Sequence, residues 1–96
     1  MLSDKVAAIS TDKVIRRIKD VVDLYYISHV VPFDRAAVLE TLRNSGRELE
    51  NFSGFLHRSD ELRHSYEKFR FAGDVNKPPF EEVYRNVKAY IKDVLP

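Results

Sequence analysis

The segment Thr11–Tyr25 constrains the fold most, because its apolar residues keep a helical period while Arg16, Arg17, Lys19, Asp20 and Asp23 are set among them. Val14, Ile15, Ile18, Val21, Val22 and Tyr25 recur at steps that line one side of a helix rather than the alternate faces of a strand. Arg16, Lys19, Asp20 and Asp23 fall together on the opposite side. Leu24, Ile27, Val30 and Val31 then place apolar side chains on the flanks of that polar side. This pattern predicts a helix that runs through the domain centre, stops before Pro32, and carries a half-buried cluster of cations and carboxylates.

The rest of the chain reads as helices with ordinary punctuation. Ser3-Asp4 offers an N-cap for a short first helix to Ile9, and Ser10-Thr11-Asp12 offers one for the long second helix. Asp34 caps a third, which carries Ala37, Val38 and Leu42 and ends at Asn44-Ser45-Gly46, where glycine supplies the left-handed residue. From Arg47 to Arg70, Leu49, Phe52, Phe55 and Leu56 mark one short element, and Leu62, Tyr66 and Phe69 another. Gly54 and Ser59-Asp60 are the expected breaks. Gly73 to Pro79 reads as a loop, since a glycine and paired prolines oppose regular structure. Phe80, Val83, Tyr84, Val87, Tyr90, Ile91 and Val94 give the last helix a continuous apolar stripe. There is no alternating strand pattern, internal repeat or low-complexity stretch. The expectation is all-α: one small bundle of about five helices over residues 1–96, with the five tyrosines mostly in its core and their hydroxyls satisfied.

Composition narrows the function. Sixteen basic and fifteen acidic residues nearly balance, so overall charge draws the chain neither to nucleic acid nor to a membrane, and any nucleic-acid contact has to be local. The absence of cysteine removes disulfides, thiolate metal sites and cysteine nucleophiles, and fits a cytoplasmic protein. No signal-peptide pattern and no apolar run near the length of a membrane span is present, so the expected setting is soluble and intracellular. His29, His57 and His64 lack the i,i+4 spacing of a helical zinc pair. Hydrogen-bonded or solvated histidines are expected, with no metal held through them.

The charge cluster has two readings from the residues alone. Arg16 with Asp20 and Lys19 with Asp23 are i,i+4 pairs, each contributing about 0.2–0.5 kcal/mol on an exposed helix, so the cluster can be a plain ion-pair network. Ion-pair networks and active sites look alike at this level. The string from Asp4 to Ser28, however, resembles a segment of the AbiEii/AbiGii family of abortive-infection nucleotidyltransferase toxins. Arg16, Arg17, Lys19, Asp20, Asp23, Leu24 and Tyr25 carry the resemblance as Arg-Arg followed by Lys-Asp-x-x-Asp-Leu-Tyr. The stretches Phe55–Arg70 and Lys77–Ile91 resemble the family's final helices, so the likeness runs over most of the 96 residues.

That resemblance implies a two-part architecture. A palm with a Gly-Ser signature and an Asp-x-Asp pair holds magnesium and a nucleoside triphosphate, and a helical C-terminal half adds the lysine and aspartates. The present sequence corresponds to the helical half. It has no Gly-Ser followed by Asp-x-Asp, and no two of its aspartates stand two apart. Nucleotidyl transfer needs carboxylates to hold metal at the phosphates and cations to offset their charge. The resemblance therefore implies catalytic roles for Lys19, Asp20 and Asp23, Lys19 toward a phosphate and an aspartate toward the nucleophile. It implies substrate-side roles for Arg16, Arg17, Arg58 and Lys68, although a solvated helix face explains the last two as well. On this reading the chain is inactive alone, needs no cofactor alone, and takes magnesium and nucleotide only with a palm supplied. Its expected partners are that palm or an antitoxin, together with a second copy of itself through exposed apolar surface. The alternative is a free-standing helical interaction module whose charge cluster is structural.

Overall fold

The computed structural model describes residues 2–70 and 76–96. Among these there are six α-helices and no strand, which makes the chain a small all-α bundle. The helices are α1 (Leu2–Ser10), α2 (Ile18–Ile27), α3 (Arg35–Asn44), α4 (Ser53–His57), α5 (Ser59–Lys68) and α6 (Phe80–Tyr90). Single 3₁₀ turns cover Val14–Arg17 and Lys92–Val94. Of the expected loop, Gly73, Asp74 and Val75 lie outside the described residues, and Asn76 to Pro79 carry no helix.

Local chemistry explains α3 and α6. The Asp34 side chain accepts a hydrogen bond from the Ala37 amide at 3.1 Å and opens α3. At its other end Gly46 sits at φ +69°, while Arg47 N donates to Leu42 O at 2.8 Å and Gly46 N to Arg43 O at 3.1 Å. These two bonds satisfy carbonyls that would otherwise lack partners, the geometry of a Schellman stop. In α6, Val83 and Val87 are fully buried, and Ile91, just past its end, continues the same line into the core.

Long-range packing sets the rest. The core joins Val6 and Ile9 of α1, Val21, Val22 and Leu24 of α2, Phe55 of α4, Leu62 of α5 and the α6 stripe. A smaller cluster of Ala7, Val38 and Leu42 seats α3 on α1. The long helix expected to follow Ser10-Thr11-Asp12 and stop before Pro32 does not form as one piece. It is a 3₁₀ turn that breaks at Arg17 (φ −115°, ψ 32°), then α2, which ends at Ile27. Two contacts from elsewhere, and the burial of its own Val14, pin the turn. Arg58 Nη1 donates to Asp12 O at 3.2 Å, Ser65 Oγ donates to Ile15 O at 3.1 Å, and Val14 is wholly buried. Because α2 stops early, Val30 (78% exposed) and Val31 stand in solvent instead of flanking a buried helix.

Two further expectations are corrected. Ser3 and Asp4 lie inside the first turn of α1 rather than ahead of it, with Ser3 buried. Gly54 does not break a helix but lies buried within α4, where an added Cβ would stand 2.8 Å from Val14 Cγ1 and 3.3 Å from Asp12 O. Glycine is required there for close approach. Besides Gly46, positive φ occurs among the described residues at Phe52 (φ +57°), whose buried ring and whose amide bond to Ser10 O at 2.9 Å hold the left-handed conformation.

Four tyrosine hydroxyls tie elements together. Tyr84 donates to Phe55 O at 2.7 Å, Tyr66 to Pro78 O at 2.6 Å, Tyr90 to Val31 O at 2.7 Å, and Tyr25 to the Glu82 carboxylate. Tyr26 departs from the expectation, being 41% exposed. Tyr84→Phe is expected to cost about 1 kcal/mol, because it leaves the Phe55 carbonyl without its donor while keeping the ring. Thermal unfolding checks this, and an unchanged midpoint contradicts it.

Candidate functional site

The polar residues singled out from the sequence are positioned by α2 and by the 3₁₀ turn before it. Ile18 starts α2 directly after the break at Arg17, and Val21, Val22, Leu24 and Tyr25 bury its inner face. That burial fixes the outer face, so Lys19 and Asp23 stand one turn apart with Lys19 Nζ donating to Asp23 Oδ2 at 3.1 Å. The expected Lys19–Asp23 pair is therefore present.

The expected Arg16–Asp20 pair is not. The backbone break takes Arg16 off the helical register it would need, and its side chain points into solvent. Asp20 is served from another helix. Lys5 of α1 places its ammonium 2.7 Å from Asp23 Oδ2 and 3.4 Å from Asp20 Oδ1. A cluster of two cations and two carboxylates does form, but Lys5 and Lys19 supply the cations. Asp20 and Asp23 are 19% and 29% exposed and Lys5 23%, whereas Lys19 is 74% exposed. The clamp lies between helices and Lys19 lies at its open edge.

The electrostatics follow from this geometry. Burial pushes the Asp23 carboxyl up, but the hydrogen bonds from Lys5 and Lys19 outweigh it and hold the group below the usual carboxylate range. The hydrogen bond to Asp23 raises Lys5 above its ordinary value against the opposing effect of burial. Both groups are therefore charged across neutral pH.

Sequence reasoning missed Lys5, although one signal pointed to it. Within α1 the residues three and four positions from Lys5 are Leu2, Ala8 and Ile9, none of them acidic. A lysine so placed on a short apolar helix has to find its counter-charge on another element. Glu82 was also missed. It accepts the hydroxyl of Tyr25, and with burial this contact pushes the phenol up to about 12. Leu24 and Tyr25 are thereby core residues, and the polar members of the motif stay outside.

The remaining substrate-side candidates are spread along α5 and the loop before it. Arg58 bonds Asp12 O and forms an ion pair with Glu61, so its guanidinium is engaged in holding the 3₁₀ turn. Lys68 is exposed and shares a shallow groove with Ile15, His64 and Ser65. Arg16 and Arg17 are exposed and form no salt bridge among the described residues. Arg16, Arg17 and Lys19 therefore leave three cationic side chains in solvent where the turn meets α2.

The residues present do not fit a magnesium ion. Asp20 and Asp23 are occupied by ammonium groups, and among the described residues no three His, Asp or Glu side chains gather as a metal-holding set. His29, His57 and His64 are exposed, and His29 packs edge-on against the Tyr25 ring at 4.7 Å. No helix among the described residues is long and apolar enough to cross a membrane. No protein-family model matches the chain, and no curated protein or solved structure matches it. What the arrangement can do chemically is attract an anionic group at Arg16, Arg17 and Lys19, beside a carboxylate pair fixed by Lys5.

Proposed function

We propose that the chain is the helical part of a nucleotidyltransferase-like protein of the abortive-infection toxin type, with the palm that holds metal and nucleotide supplied from outside these 96 residues. The observation that carries the reading is the way the Arg-Arg, Lys-Asp-x-x-Asp-Leu-Tyr run divides. Leu24 and Tyr25 anchor α2 in the core, while Arg16, Arg17 and Lys19 project from one end of it. Lys5 fixes Asp23, and Asp23 in turn orients Lys19. A phosphate oxygen is a natural ligand for cations so arranged. The cytoplasm as its setting, and an antitoxin or the palm as its partner, belong to this same proposal.

A second reading is favoured by the clamp itself. Lys5 engages both carboxylates in joining α1 to α2, as a structural network would, and Tyr26, Val30 and Val31 leave apolar surface exposed. On that reading the chain is an interaction module, self-association included, without chemistry.

Calorimetric titration of each nucleoside triphosphate into the chain, in magnesium buffer, separates the two. Because the full metal and nucleotide site needs the palm, the proposal expects the chain alone to hold a triphosphate only weakly, through its exposed cations, and Lys19→Ala to weaken that residual binding about tenfold, the loss of one charge-assisted contact. It also expects no transfer of labelled nucleotide by the chain alone. No heat with any triphosphate, or binding indifferent to Lys19→Ala, overturns the nucleotidyltransferase reading and leaves the interaction module.

A further inference from the structure

The geometry points to the groove between α5 and α6 as a docking surface for an acidic helical segment of a second protein. The groove, about 370 Å³, is lined by Arg63 from α5 and by Phe80, Glu81, Tyr84, Arg85 and Lys88 from α6. Its floor is aromatic. The Phe80 and Tyr84 rings stack with centroids 5.5 Å apart, and Phe55 lies beneath Tyr84 at 4.8 Å. Cations stand over that floor, with the Arg63 guanidinium 5.7 Å from the Phe80 centroid and the Lys88 ammonium 5.9 Å from that of Tyr84.

Charge selects the occupant. Arg63 is matched by Glu81, Nη2 to Oε1 at 2.9 Å. The next carboxylate, Glu82, turns to α2 to accept the Tyr25 hydroxyl. Arg85 and Lys88 are left without a salt bridge among the described residues, so the groove keeps two uncompensated positive charges in a chain whose net charge is only +1. Three apart on one helix, they present their Cβ atoms about 5–6 Å from each other. Two carboxylates three or four residues apart on an incoming helix have the same separation, and an apolar residue between them would lie against Tyr84. Such pairing gives orientation and a salt-sensitive association rate.

Nucleic acid fits less well. A single strand needs open aromatic faces for its bases and a dense run of free cations for its phosphates. Here Phe80 is only 6% exposed, its ring is stacked on Tyr84, and Arg63 and Lys88 lie over the faces. Glu81 and Glu67 also lie along the groove and its continuation past Phe80.

The test is fluorescence anisotropy at low salt with a labelled 20-residue helical peptide of alanine, leucine and glutamate, in which glutamates three or four apart flank a leucine. Arg85→Glu/Lys88→Glu is compared with Lys13→Glu/Arg43→Glu, which makes the same change in net charge at exposed sites elsewhere. Binding is expected to fall about tenfold or more in the first variant and to stay within about twofold of wild type in the second. The first variant, checked for unchanged helix content by circular dichroism, is expected to bind polylysine instead. Equal losses in both variants, or no binding by the wild-type chain, overturn the proposal. So does a 20-nucleotide oligothymidylate whose binding depends on Arg85 and Lys88 more than that of the acidic peptide does.

Discussion

Phe55→Ala is expected to destabilise the fold by about 4 kcal/mol, the middle of the range for removing a buried aromatic ring. Phe55 is wholly buried, packs its ring against Tyr84, and offers its carbonyl to the Tyr84 hydroxyl. The helix that carries it, α4, has five residues, too few to be stable without packing. Collapse around the cavity is opposed on the α4 side. Gly54 already brings α4 within contact distance of Val14 and the Asp12 backbone, so the helix cannot move inward there. Small domains have a total stability of about 5–15 kcal/mol, so this one truncation removes a large part of it. Urea unfolding followed by circular dichroism measures the effect. A loss below about 1 kcal/mol, less than a cavity of this kind costs, would show that the core closes over the gap and that α4 is not held by this ring.

The parts of the fold legible in the sequence are those whose cause is local. Asp34, Gly46 and the stripe from Phe80 to Ile91 act within a turn or two of themselves, and the structure places them as their chemistry dictates. The break at Arg17 was not legible, because Arg58, Ser65 and the pocket over Gly54 pin the turn from 40 or more positions along the chain. Once that break occurs, a helical wheel drawn through Val14 to Tyr25 mixes two elements, and it paired Arg16 with Asp20. Gly54 misled for a related reason. A glycine reads as a breaker when only local conformation is considered, and here it is demanded by a neighbour. The half-buried charge cluster was legible as a cluster, since Lys19, Asp20 and Asp23 share one helix. Its principal cation was not, because Lys5 and Asp23 are eighteen positions apart.

Lys5→Met is expected to cost about 2 kcal/mol at neutral pH, between the small effect of a surface pair and the larger one of breaking a buried pair, since solvent still screens these groups. Methionine keeps the volume and apolar stem and removes the charge. Asp20 then has no cation at its 3.4 Å contact, and Asp23 keeps only the exposed Lys19. The pH profile carries the diagnosis. Asp23 is depressed in the folded state, so its contribution is present above the unfolded carboxylate value near 4 and is lost as pH falls through the lower folded value. Lys5 is raised, so its contribution is present below about 10.5 and is lost as pH rises through the higher folded value. The gap between wild type and Lys5→Met should therefore be flat from about pH 5 to 9 and close toward both extremes. Lys19→Ala should behave differently, costing no more than about 0.5 kcal/mol as an exposed i,i+4 partner while weakening triphosphate binding about tenfold. If instead Lys19→Ala destabilises as much as Lys5→Met, both lysines serve the fold. The Lys-Asp-x-x-Asp helix is then structural throughout, and the nucleotide proposal loses the residue it depends on most.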